Sequence, residues 1–578
     1  MPGRLGAGWR DPAFHGAPFR YRGNVVERPR QFYRLAKQTV VAAKVCPRRP
    51  AGDSLCAMRL VHHDAEIAAW TAEYSSNVQL AYVLCDRWKD SERAALIWES
   101  GGSECVELSF ADVASLSSRV AGRLGEIGIG KGDVVAGLLP RCPALMTLAV
   151  AVWRRGATFL PLFTAFGPEA IRYRVEHSGA ALVVAHKRFT HNVAELPYRS
   201  EIVDDFATAL TAATPQRDAA AYRTEDPIGL IYTSGTTGQP KGVALPARAL
   251  ASIRSYMTHG LDVQQNDTYW NLGDPGWAYG FYYSLIGPLL LGHPTLWVDA
   301  PFGADRVADV VKRWRVTNIA MAPSAWRALR AASFQAPPDA IRVATSAGEP
   351  LPAALLNWSR ETLGVPIHDQ YGQTEIGMVV MNAHSDGAEP AADSMGRPAP
   401  GYRVVLLSAE GEELGSGRRG EIALDVPASR LYWFQGYFRQ GTRSTDRFPF
   451  GERYYVTGDY ASRDENGNFH MEGRTDDLIK SSGYRIGPYE IESVLTAHPE
   501  VAEAAVVGHA DEERGQLICA FVVPRSAVSD PVGLSAELQQ WVRVRLAAHM
   551  CPKRVIFVSE LPKTPTGKVQ RYRLRAHA

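Results

Sequence analysis

The sequence predicts an α/β protein with a large N-terminal domain of βαβ-type sheets layered with helices, followed by a small α+β C-terminal domain. Three observations carry this. From about residue 95, short apolar runs alternate with stretches of helical periodicity. A loop rich in Gly, Ser and Thr follows one apolar run directly. A polar break at Gly473-Arg474-Thr475-Asp476-Asp477 precedes about 100 residues with strands and helices of their own.

The elements read in order as follows. Ser109-Phe110-Ala111-Asp112 is a capping-box start, and Val113, Leu116, Val120 and Leu124 then recur at helical spacing. Gly128-Ile129-Gly130 stops that helix. Val134 to Leu139 reads as a buried strand ended by Pro140. An apolar helix ends near Arg155, and Thr158-Phe159-Leu160 is the next strand. A helix through Glu169 to Glu176 leads into the strand Ala181 to Val184. Continuous apolar strands separated by helices indicate a parallel sheet covered on both faces. In the last 100 residues, Ala504 to Val507 and Ile518 to Val523 read as strands.

Composition narrows the function classes. The 578 residues are 46% hydrophobic and 21% charged, which excludes a largely disordered chain. Net charge is 63 − 61 = +2, so no global basic field points to nucleic acid. The apolar stretch Ala144 to Trp153 is followed by Arg154 and Arg155, short of the ~18 residues a membrane span needs. Seven cysteines without a CxxC pair exclude a disulfide scaffold or zinc ribbon, and a reducing, cytoplasmic setting is expected. Residues 1–57 carry eleven Lys/Arg against three Asp/Glu, with six Pro and six Gly. They read as an atypical basic extension, disordered or a mis-assigned start with Met58 as the initiator. An organellar transit peptide is the competing reading.

The strongest local signal is the apolar strand Ile228 to Tyr232 running into Thr233-Ser234-Gly235-Thr236-Thr237-Gly238-Gln239-Pro240-Lys241-Gly242. Glycines let backbone N–H groups turn toward an anion, hydroxyls add donors and Lys adds charge, so the loop is suited to polyphosphate. It is not a Walker A loop, because Pro240 stands where the second glycine belongs.

With this loop the chain resembles the adenylate-forming superfamily of acyl-CoA synthetases, luciferases and peptide-synthetase adenylation domains, closest to its medium-chain and acetyl-CoA synthetase branch. Four further segments, in the family's order, extend the resemblance over roughly residues 75–578. They are Tyr371-Gly372-Gln373-Thr374-Glu375, Tyr455-Val456-Thr457-Gly458-Asp459, Gly473 through Glu492, and Pro562-Lys563-Thr564-Pro565-Thr566-Gly567-Lys568. The resemblance implies an AMP-binding domain over 58–475 and a mobile domain over 476–578 with its hinge at Asp476. It implies ATP-dependent activation of a carboxylic acid to acyl-AMP, then thioester formation on coenzyme A. A ligase loading a carrier protein and a non-catalytic nucleotide-binding relative are the alternatives.

Such chemistry brings a carboxylate to an anionic phosphorus, so the site must neutralise and position negative charge. By the resemblance, Thr233, Ser234, Gly235, Thr236, Thr237, Gly238 and Lys241 enclose the β- and γ-phosphates. Thr374 touches the α-phosphate and Glu375 holds Mg²⁺. Gly348-Glu349-Pro350, Tyr371 and Gln373 frame the nucleotide, with the Tyr371 ring on adenine. Asp459 accepts from the ribose hydroxyls with Arg474 assisting. Lys568 contacts carboxylate and α-phosphate in the first step, with Arg485 a phosphate contact in the same pose, and Gly483 lines the pantetheine channel in the second. Trp277, Ala278, Tyr279, Ala347 and Gly372 line the acyl pocket. The family's acetate branch carries Trp at the position of Gly372, so small residues here imply a medium-chain aliphatic or aromatic acid rather than acetate alone. The context of Lys568 also resembles that acetylated in bacterial relatives, implying a lysine acetyltransferase and deacetylase as partners.

Overall fold

The computed structural model describes residues 53–578 apart from 102–103, 195–199, 204–213, 234–239, 338, 441–444, 475–476, 482–483, 512–514, 564–568 and 576–578. Residues 52–578 form one compact unit, and the first helix, Asp53–Glu73, begins inside the stretch read as the basic extension.

The predicted elements follow from local chemistry. Ser109 accepts the Asp112 N–H and Asp112 accepts the Ser109 N–H, a reciprocal cap on the helix Phe110–Glu126. Its Val113, Val120 and Leu124 face is buried, and Gly128 follows its end with φ +89. Cys142 precedes the helix Pro143–Arg154, whose closing charge is not a surface residue. Arg154 is 2% exposed and paired twice with Asp86, at 2.6 and 2.7 Å.

Two large sheets dominate. In the first, strands run in the order Gly242–Pro246, Pro227–Tyr232, Thr158–Pro161, Val134–Leu138, Leu182–His186, Ser200–Val203, parallel throughout except the first pair. In the second, a parallel core of Ile367–Gln373, Val343–Ala347, Asn318–Met321, Tyr269–Asn271, Thr295–Asp299 and Ala94–Ser100 has antiparallel strands at both edges. Fully buried runs such as Val134–Leu138 explain why these strands read as continuous apolar stretches. Parallel α/β sheets bind ligands at the carboxyl ends of their strands. The candidate segments lie there. Thr233 follows Pro227–Tyr232, Gly348 follows Val343–Ala347, Thr374 follows Ile367–Gln373, and Trp277 comes shortly after Tyr269–Asn271.

A four-stranded antiparallel sheet, Val404–Leu407, Arg419–Asp425, Tyr454–Arg463 and Phe469–Arg474, carries Asp459 and Arg474 as cross-strand partners. An ion-pair network braces it. Glu413 pairs with Arg403 and accepts from the Tyr454 hydroxyl, and Asp425 pairs with Arg403 and Arg453. Arg403 and then Tyr454 hold the Glu413 carboxyl down to about 2. A depressed carboxylate stabilises the fold fully above its unfolded value of roughly 4.3 and progressively less as pH falls toward 2. The pair is partly exposed, so Glu413→Gln should cost about 0.5–1 kcal/mol at pH 7. The difference should shrink at pH 3, as urea midpoints at the two pH values would record.

Beyond residue 476, strands Ile479–Ser481, Tyr484–Ile486, Val501–Asp511, Gly515–Pro524 and Arg554–Phe557 form a separate sheet packed with helices Pro488–Thr496 and Pro531–Arg545. Helix Pro488–Thr496 sits against the strand Phe469–Arg474. A Cβ at Gly487 would lie 2.3 Å from the Glu472 carbonyl oxygen. Arg419 bridges the junction, pairing with Glu472 and Glu490, each at 3.2 Å.

Candidate active site

The phosphate-type loop springs from a hairpin. Strands Pro227–Tyr232 and Gly242–Pro246 pair antiparallel, and the Thr233 N–H donates to the Lys241 carbonyl at 2.9 Å. Ser234, Gly235, Thr236, Thr237 and Gly238 lie outside the described residues; what is described is the closed base of their loop. Lys241 lies 4.7 Å from the Tyr437 ring centroid, and its ammonium is 3.7 Å from Asp446.

Tyr371, Gln373, Asp459 and Arg474 meet in one network. Asp459 Oδ2 accepts from the Tyr371 hydroxyl and from Gln373 Nε2, both at 2.6 Å. Arg474 Nη1 is 3.4 Å from Asp459 Oδ1. Gln373 also donates to the Thr457 carbonyl and accepts from the Tyr455 hydroxyl. Burial first, and then the Asp459 charge, pushes the Tyr371 phenol well up, so it stays a donor. Two donors fill the lone pairs of Oδ2, leaving acceptor capacity on Oδ1 for a ligand hydroxyl. Gly458, with φ +74, forms the turn before Asp459, and its N–H donates to Glu421 at 3.0 Å.

Glu375 is 4% exposed. Its Oε1 accepts from the Tyr437 hydroxyl at 2.7 Å and lies 3.5 Å from Arg447 Nη2. The Thr374 carbonyl accepts from Tyr282. The turn Gly348-Glu349-Pro350 is pinned. Gly348 has φ +98, Glu349 pairs with Arg327 at 2.7 Å, and the Leu351 N–H donates to Asp369 at 3.1 Å.

The residues expected to line an acyl pocket divide between two packing environments. Trp277 packs on Phe163 and Phe166, whereas the Tyr279 hydroxyl meets that of Tyr256 at 3.0 Å and its ring meets Tyr283. Ala347 is buried at a strand end and Ala278 is half-buried. Gly372 has a reason of its own to be glycine. A Cβ there would lie 2.1 Å from the Gly377 carbonyl oxygen and 2.7 Å from Met378 Cα, across an irregularity in the antiparallel pairing. Gly372→Ala should therefore destabilise the fold by about 2–4 kcal/mol, read as a fall in denaturant midpoint with no acid present.

Asp476, Gly483 and Lys568 lie outside the described residues, and Arg485 is placed by its backbone opposite Lys480. The surroundings of the first and last are described. Asp477 pairs with Arg571 and Arg575, and Arg571 forks onto Glu492 at 2.7 and 2.8 Å. Lys563 and Val569 form a bridge that closes the base of the Lys568 loop.

Sequence reasoning missed Arg447, Tyr437 and Glu421. Tyr437 sits in the aromatic run Leu431 to Phe438, which reads as core, and Arg447 stands in a segment without periodicity or a motif spacing.

Two family models match the chain, an AMP-binding enzyme over residues 86–438 and an AMP-binding enzyme C-terminal domain over residues 490–568. The mouse (Mus musculus) mitochondrial acyl-coenzyme A synthetase ACSM4 is 33% identical over 86% of this chain and 90% of its own. The acetyl-coenzyme A synthetase of Bacillus subtilis (strain 168) is 31% identical over 87% and 91%. A Brucella canis acyl-CoA synthetase structure superposes with TM-score 0.69 at 40% identity, covering 88% of this chain and 97% of that one. The chain belongs to the AMP-binding enzyme family. Within it, the protein is an AMP-forming acid–CoA ligase with the two-domain adenylate-forming fold. Its substrates are ATP, coenzyme A and a carboxylic acid, and among the described residues no helix is long and apolar enough to cross a membrane.

Proposed function

We propose that the protein converts a medium-chain aliphatic or aromatic acid to its CoA thioester through an acyl-adenylate. The observation that carries this reading is the Tyr371–Asp459–Gln373–Arg474 network, joined to Lys241 at the loop base through the Thr457 carbonyl, Arg447 and Tyr437. In the first step a carboxylate oxygen attacks the α-phosphorus and pyrophosphate leaves. In the second the thiol sulfur attacks the acyl carbon, AMP leaves and the thiol proton goes to solvent. Asp459 orients the ribose through Oδ1 while Tyr371 and Gln373 hold the carboxylate still. Lys241 and the loop carry the phosphates. Lys568 supplies the charge at the reacting oxygens, a role that rests on the sequence resemblance.

Mg²⁺ suits Glu375 as a donor. Among the described residues there is no cluster of three metal-ligating side chains, and Mg²⁺ with nucleotides is held by one or two carboxylates plus phosphates and water. When bound it would neutralise phosphate charge. The aromatic packing of Trp277 with Phe163 and Phe166 would favour an apolar acyl group on that side, and a hydrophobic pocket discriminates by only ~1–3 kcal/mol per methylene, so several chain lengths should react. A cytoplasmic location is proposed on the free thiols Cys85, Cys105, Cys142, Cys519 and Cys551. Acetylation of Lys568 remains a proposal from sequence context; it would abolish the first step and spare the second. Carboxylate-dependent exchange of pyrophosphate into ATP, across acids of two to twelve carbons and aryl acids, tests the substrate class. The highest kcat/KM should fall on a medium-chain or aryl acid, and a preference for acetate would reject that class.

A further inference from the structure

Arg447 stands at the centre of the charged groups of this site. Nη1 donates to the Thr457 carbonyl at 2.6 Å, Nε donates to the Tyr437 hydroxyl at 3.1 Å, and Nη2 faces Glu375 at 3.5 Å. The Tyr437 hydroxyl donates in turn to the same Glu375 oxygen. This links the guanidinium to the base of the phosphate-type loop, because Tyr437 bridges to Val243 and the Phe438 N–H donates to the Gly242 carbonyl at 2.8 Å, directly after Lys241. On its other side lies the ribose carboxylate. A Cβ at Gly458 would be 3.3 Å from both Arg447 Nη1 and Arg474 Nη2. Lys241, Arg447 and Arg474 thus form a path of cations from the loop to Asp459.

We propose that Arg447 is a polyphosphate-binding residue of the adenylation site, compensating buried Glu375 in the nucleotide-free protein and facing the β- and γ-phosphates when ATP is bound. The proposal deepens the assignment of Lys241, Glu375 and Asp459 to the nucleotide site and rests on it. A carboxylate this buried needs a counter-charge. Once Glu375 is engaged by the cation that accompanies ATP, Nη2 loses its carboxylate partner, while the bonds from Nη1 to the Thr457 carbonyl and from Nε to the Tyr437 hydroxyl keep the guanidinium in place. A planar guanidinium matches phosphate oxygens by charge and by paired donors.

Calorimetric binding of ATP, and separately of AMP, to full-length wild-type, Arg447→Met and Arg447→Lys proteins tests this. For Arg447→Met the Kd of ATP should rise on the order of tenfold to a hundredfold, with that of AMP within about twofold, and Arg447→Lys should lie between. Equal weakening of both nucleotides, or an unchanged ratio of ATP to AMP affinity, overturns the assignment. Should Arg447→Met fail to fold by near-UV circular dichroism, the ratio in Arg447→Lys decides by the same criterion. Wild-type protein that binds neither nucleotide overturns the nucleotide site as well. Wild type that prefers ATP, with a variant that keeps that preference, overturns Arg447 alone.

Discussion

Lys568→Ala should slow carboxylate-dependent pyrophosphate exchange by on the order of 10²–10³-fold or more, the scale of losing a preorganised charge from a water-poor site. The same variant, given preformed acyl-adenylate and coenzyme A, should form thioester within a few-fold of wild type. The asymmetry follows from the role proposed for Lys568: it would meet the charge that gathers as a carboxylate approaches the α-phosphorus, whereas in the second step a thiol attacks the acyl carbon and nothing attacks phosphorus. The surroundings of its loop suit an arm that acts as one piece with the hinge proposed at Asp476. Lys563 pairs with Val569 across the loop base and with Glu503 at 2.7 Å. Arg571 and Arg575 then tie the following turn to Asp477, next to Asp476. Asp477→Asn loosens that tie without touching Lys568, so it should lower exchange several-fold and again spare thioester formation. Equal loss of both half-reactions in Lys568→Ala would reject the assignment.

Asp459→Ala has the second largest expected effect, and it acts on stability and binding together. It removes the acceptor of the Tyr371 hydroxyl and one of the two acceptors of the Gln373 amide, which keeps the Thr457 carbonyl, and it removes the Asp459 carboxylate from beside Arg474. An orphaned buried donor and a broken, largely buried pair should cost about 2–4 kcal/mol in denaturant unfolding. ATP affinity should fall at least a hundredfold, because the proposed ribose acceptor and its orienting frame go together. Asp459→Asn keeps the volume and one acceptor, so it should recover part of the stability and little of the affinity. If Asp459→Ala unfolds as wild type does, the network does not brace the site.

Much of the fold was legible because its signals are local. The reciprocal cap of Ser109 and Asp112, the stop at Gly128 and the apolar runs of the parallel strands are each written within a few residues. What was not legible depends on residues far apart in the chain. Arg154 reads as the polar end of an apolar helix, yet Asp86, 68 positions away, lets it be buried. Gly372 reads as space for an acyl chain, yet the backbone at Gly377 leaves no room for a side chain. In the site, Asp459 and Arg474 stood in recognisable motifs, and the strand register set them opposite each other. Arg447 stood in none. Its role is visible only once Tyr437, Thr457 and Glu375 are brought around it.

The most direct test is a reaction without coenzyme A: wild-type enzyme, ATP, magnesium and a medium-chain or aryl acid, quenched and resolved by mass spectrometry. Acyl-AMP and pyrophosphate should accumulate to about one equivalent per active site. Adding coenzyme A should convert the adenylate to acyl-CoA and AMP in equal amounts. Formation of ADP and an acyl phosphate in place of acyl-AMP would contradict the account at its centre.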